Sequence, residues 1–93
     1  MAVSVVVAVG GVADDLVAEI GKRIAGLTVG AGDAEGTDMG PLISEEHRDK
    51  VAGYIDQGRE AGAEVVVDGR DADLPDQGWF LGPTLVDHVR PGM

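Results

Sequence analysis

A chain of 93 residues allows one domain, and one this short hides only about 60–65% of the surface its unfolded form exposes. A net charge of −10, from 17 acidic against 7 basic side chains, repels nucleic-acid phosphates and anionic membrane surfaces and predicts neither as a partner. No cysteine is present, which excludes disulfides, thiolate metal sites and thiol nucleophiles within the chain and fits a reducing, cytoplasmic compartment.

The apolar share is 44%, mostly Val, Ala, Leu and Ile, with a single Trp, Tyr and Phe, a composition that suits a sheet covered by helices. The opening MAVSVVVAVG is too short for a bilayer span, which needs about 20 apolar residues. It also lacks the leading basic residue of a secretory signal, since no Lys or Arg occurs before Lys22. Val3, Val5, Val6, Val7 and Val9 are β-branched and Gly10-Gly11 ends the run, so the segment predicts a buried first strand.

Past Gly11 the apolar spacing becomes helical. Leu16, Val17, Ile20, Ile24 and Leu27 form one stripe, and a helix is expected from Asp14 to Ala25, ending near Gly26. Asp14 and Asp15 suit its N-terminus as caps, and Glu19 and Arg23 are spaced to pair on the wet side. Gly21 in mid-helix costs about 1 kcal/mol against Ala, an expense that points to close packing at that position.

Residues 28–43, rich in Gly and Asp, predict a long loop of the kind that serves a larger assembly. Ser44 then caps a second helix with Glu45 and Glu46 in its first turn. Val51, Tyr54, Ile55 and Ala61 make its apolar face, and Gly62 stands where a left-handed cap belongs. Glu64–Asp68 reads as a strand ended by Gly69. An acidic loop follows, and WFLGPTLVDHV reads as an extended segment broken at Gly82-Pro83. The predicted class is α/β, in the order strand, helix, loop, helix, strand, strand. The first strand could join a parallel sheet through a helical crossover.

Few residues suggest chemistry. Gly30, Gly32 and Gly36 miss the dinucleotide G-x-G-x-x-G spacing by one residue, and the loop follows a helix where a strand is required. Counted as a calcium loop from Asp33, position six is Asp38 where Gly is needed and position twelve is Ser44 where Glu is needed. His47 and His88 have no His or Cys at ligand spacing. His47 is expected at the surface of the second helix, and His88, beside Asp87, in a structural role. Ser4 and Ser44 lack a general base. No catalytic, cofactor-binding or metal-binding residue is therefore assigned.

The stretch GTDMGPLIS, taken with HRDKVAGYIDQGREAGAEVVVDGR and GWFLGPTLVDHVRPGM, resembles the catalytic domain of the aldehyde dehydrogenase superfamily. The features that carry the resemblance are Gly40-Pro41-Leu42, the Tyr54-Ile55 helix with Gly58, Ala61-Gly62 before a strand, and Gly82-Pro83-Thr84 after an aromatic pair. The opening is similar to the CoA-acylating methylmalonate-semialdehyde branch. The likeness covers residues 1–93 as a single partial, Rossmann-like catalytic domain.

In that family a cysteine thiolate attacks the aldehyde, backbone and Asn donors hold the oxyanion, and hydride passes to NAD before acyl transfer to CoA. The resemblance implies that this nucleophile lies just before Met1, as though Met1 were internal to a longer enzyme. It places the glutamate that binds the nicotinamide ribose just beyond Met93. No family site residue falls on a position of this chain, so NAD and CoA belong to the parent enzyme and the chain alone is expected to be inactive. Two other readings stand beside this. One is an acidic α/β interaction module whose unpaired strand edges drive self-association or complementation by other dehydrogenase segments. The other is an unrelated autonomous α/β domain.

Overall fold

The best-formed part of the molecule is the second helix and the hairpin-like sheet beneath it. The structure, a computed structural model, describes residues 3–93. Its elements are α1 (Ala13–Ala25), α2 (Glu45–Glu60), β1 (Glu64–Val67), a 3-10 turn at Gly69–Asp71 and β2 (Leu85–Asp87). The class is α/β, as expected from the sequence.

α2 starts where Ser44, in extended conformation, accepts a hydrogen bond on its side chain from the His47 amide at 3.1 Å. Glu45 and Glu46 then meet the positive end of the helix dipole. It stops at Gly62, whose φ of +102° is the left-handed conformation glycine adopts without strain. The Ala63 amide reaches back to the Gly58 carbonyl at 2.9 Å and the Gly62 amide to that of Arg59 at 3.1 Å, which closes a Schellman motif. That cap turns the chain directly into β1.

β1 and β2 pair antiparallel with Glu64 opposite Asp87, Val65 opposite Val86 and Val67 opposite Leu85, with an irregularity between Val65 and Val67. Val65 and Val86 share the sheet face that α2 covers, and Gly58 brings the helix backbone close to Val86. Ile55, Ala63, Phe80 and Leu81 are buried around this junction. Val29 is also buried, in the long loop, which is pinned by a parallel bridge between Val29 and Met39. Tyr54 does not share the apolar face assigned to it. It is exposed and borders a shallow depression with Gln57, Val86, Val89 and Met93.

Four expectations are corrected here. Residues 3–9 form no strand: Val3, Val5, Val6, Val7 and Val9 are all exposed, Val3 at 82% and Val9 at 81%. A strand needs a neighbour for its amides and carbonyls, and among the described residues the sheet holds only β1 and β2. The element order is therefore helix, loop, helix, strand, strand. Asp14 and Asp15 lie in the first turn of α1 and do not cap it; the N-cap is Val12, with no side-chain bond. Gly21 has no heavy atom within 4 Å of where a Cβ would stand, so close packing does not account for it. Asp68 lies outside β1 and caps the 3-10 turn instead.

Candidate functional site

Charged and glycine-rich chemistry concentrates where β1 ends. Asp68 accepts from the Arg70 amide at 2.9 Å and grips its guanidinium in a fork, Nε donating to Oδ1 at 2.9 Å and Nη2 to Oδ2 at 2.7 Å. Arg70 Nη1 donates to Asp56 on α2 at 2.9 Å, and Arg59 approaches Asp68 at 3.5 Å. Hydrogen bonding from Arg70 holds the Asp68 carboxyl at about 2, below its ordinary 3.8, and outweighs the opposing effect of burial. The same two carboxylates keep Arg70 firmly protonated. All the partners are satisfied within the chain, so this cluster is a clamp tying the turn to α2.

Two glycines let the next backbone crossing happen. The Gly69 amide donates to Thr84 Oγ1 at 3.0 Å, and the Gly82 amide donates to the Gly69 carbonyl at 2.9 Å. A Cβ on Gly69 would overlap the Gly82 carbonyl, and one on Gly82 would lie 2.7 Å from the Ala72 methyl. The Gly82-Pro83-Thr84 motif is thus a place where two backbones cross. Nearby, Arg48 lies over the Trp79 ring at 5.7 Å from its centre, and the Leu42 amide donates to the Trp79 carbonyl at 2.8 Å. These contacts fasten Gly40-Pro41-Leu42 to the aromatic pair Trp79-Phe80.

Each residue singled out in the sequence has a defined place. His47 is exposed in the first turn of α2, and Ser44 is occupied as its cap. His88 is exposed with a φ of 57°, and its Nε2 lies 3.5 Å from Glu64 and 3.6 Å from Asp87. The three offer ligand atoms within 4.8 Å of one another, an arrangement with the donor set for a divalent cation. Spacing could not reveal it, because Glu64 meets Asp87 only through strand register.

The Gly30–Gly36 loop follows α1 and is closed by its own backbone bonds. Within it the Gly30 amide donates to Met39 and the Ala34 amide to Ala31, the Thr37 amide donates to Ala34, and Thr28 and Asp38 tie its ends together. An open groove of about 610 Å³ runs between the C-terminal end of α1 and the uncovered face of β1. Ile24, Leu27, Val29 and Val66 give it an apolar lining, and Asp68, Asp71 and Asp73 line it with carboxylates that would repel a pyrophosphate.

Fold and sequence together match part of the aldehyde dehydrogenase fold. Residues 1–93 match the profile of the aldehyde dehydrogenase family, and the chain belongs to that family. It is 47% identical over 94 residues to malonate-semialdehyde dehydrogenase 2 of Geobacillus thermodenitrificans (strain NG80-2), covering 100% of this chain and 20% of the relative.

Among solved structures, the methylmalonate-semialdehyde dehydrogenase DddC of Oceanimonas doudoroffii matches 91% of this chain and 18% of its own, with 43% identity and a TM-score of 0.85. The NAD+ complex of an aldehyde dehydrogenase from Bacillus cereus matches 86% of this chain and 16% of its own, with 34% identity and a TM-score of 0.78. The chain thus spans about a fifth of the length of the proteins it resembles. No helix among the described residues is long and apolar enough to cross a membrane.

Proposed function

We propose that these residues form scaffold of the catalytic domain of a cytoplasmic, NAD-dependent, CoA-acylating dehydrogenase of malonate or methylmalonate semialdehyde, and carry none of its reacting groups. The likeness to DddC supports this reading most directly, because 91% of the chain aligns with it at a TM-score of 0.85 and 43% identity. The chemistry agrees with it. Oxidising an aldehyde to a thioester needs an activated nucleophile, and the 93 residues hold no cysteine to serve as one. What the segment does supply is rigidity: the Asp68–Arg70–Asp56 clamp and the Gly69–Gly82 crossing fix the strand ends around which a site can be built.

Two assays test this. The purified chain with malonate semialdehyde, NAD and CoA yields no NADH, and turnover above a protein-free blank would overturn the proposal. A DddC enzyme whose matching stretch is replaced by residues 1–93 keeps NAD-dependent oxidation within about tenfold of its parent, since 43% identity preserves the core pattern. A folded chimera without activity would refute the role.

A further inference from the structure

The open end of the sheet sets two carboxylates against each other. Glu64 begins β1 and stands opposite Asp87, the last residue of β2. Like charges directly opposite one another weaken an antiparallel pair. Asp68 meets the same problem with Arg59 and Arg70, whereas among the described residues no Lys or Arg forms an ion pair with Glu64 or Asp87. Their shared neighbour is His88, where the chain leaves β2 with a φ of 57°. The His88 amide donates to Asp87 Oδ1 at 2.7 Å, which leaves Oδ2 as the oxygen nearer the ring. Nε2 of that ring lies 3.5 Å from Glu64 Oε2 and 3.6 Å from Asp87 Oδ2. Both separations exceed a good hydrogen bond. They match instead the spacing of neighbouring ligand atoms around a tetrahedral zinc, about 3.4 Å for bonds of about 2.1 Å.

We propose that Glu64, Asp87 and His88 form a surface site for one divalent cation of the zinc class, held by His88 Nε2 and one oxygen of each carboxylate, with water completing the shell. One nitrogen and two oxygens without a thiolate suit zinc, while calcium and magnesium prefer shells made of oxygen alone. The three side chains are exposed or half-buried, so the ion has open access from solvent. A dication there offsets the Glu64–Asp87 repulsion and ties the ends of β1 and β2 across the register. Binding only the folded arrangement, it stabilises the chain by mass action. The site shares no residue with the Asp68–Arg70–Asp56 clamp or the Gly69–Gly82 crossing, and it stands independently of the catalytic-domain reading.

The test titrates the full 93-residue chain with zinc alone by calorimetry, its fold checked by circular dichroism. One equivalent is expected to bind with a Kd below about 100 μM. The urea midpoint followed by Trp79 rises with zinc. His88→Asn keeps a residue that tolerates the left-handed backbone and removes the ring, and it weakens binding at least about tenfold. Glu64→Gln does the same from the facing strand, whereas His47→Asn on α2 leaves the affinity unchanged. A second host reads the site without the isolated chain: the DddC chimera carrying residues 1–93 holds one more zinc per subunit, by equilibrium dialysis, than the same chimera with His88→Asn. The proposal is overturned by equal zinc content in the two chimeras, by parental affinity in both His88→Asn and Glu64→Gln, or by magnesium binding as tightly as zinc, which would reduce the effect to charge screening.

Discussion

Residues 45–87 and residues 3–27 carry equally legible apolar patterns, yet only the first set buries them. In the C-terminal region each pattern finds a partner close in sequence: α2 turns through the Gly62 cap onto β1, and β2 returns to pair with it. In the N-terminal region Leu16, Val17, Ile20 and Ile24 align on one face and, among the described residues, nothing of comparable extent lies against them and the valine run finds no strand. Periodicity states which face of an element is meant to be covered. It does not supply the neighbour that covers it.

The sharpest break in this contrast comes from Gly69. An added methyl there meets the Gly82 backbone, which cannot move aside as a flexible side chain could. Gly69→Ala is therefore expected to cost about 3 kcal/mol. For a domain of this size, with total stability of roughly 5–10 kcal/mol, that is a large fraction. Urea unfolding followed by the single Trp79 gives the number, and an unchanged midpoint would show that the crossing relaxes.

Burial supplies the next comparison. Ile55, 5% exposed, and Leu16, 36% exposed, both belong to the apolar stripes of their helices. Ile55→Ala should cost about 2–4 kcal/mol, and Leu16→Ala at most about 0.5 kcal/mol. Equal losses in the isolated chain would mean that α1 is packed in solution.

These contrasts mark what could be read in advance. The N-cap at Ser44 and the stop at Gly62 were legible because each is decided within four residues. Ser44 bonds the amide three positions on, and only glycine enters φ = +102° freely. The Asp68–Arg70–Asp56 clamp was not legible, because it depends on how α2 lies against the end of β1. The carboxylates around His88 escaped notice for a similar reason, being joined by register. The Val3–Val9 strand was expected from local preference alone, and strand formation is decided by a neighbour. The motifs carrying the family likeness, Gly82-Pro83-Thr84 above all, proved to be places where two backbones cross.

Acid titration probes the clamp. The Asp68 carboxyl is held at about 2 in the folded chain against an ordinary 3.8, so its contribution is fully present above 3.8 and is lost as pH falls through about 2. With allowance for water around the guanidinium, the loss is about 1 kcal/mol. Asp68→Asn should flatten stability over that interval while lowering it at neutral pH. An Asn variant with the parent's acid limb would assign the effect to other carboxylates.

The smallest expected effect has the opposite sign. Gly21 sits in the interior of α1, where no atom approaches within 4 Å of a prospective Cβ, and its backbone is ordinary helix. Gly21→Ala should therefore add about 0.5–1 kcal/mol to helix stability in the isolated chain, through reduced freedom of the unfolded state and better helix propensity. Thermal unfolding followed by circular dichroism gives the sign, and a variant less stable than its parent would show that a neighbour packs against α1 at Gly21.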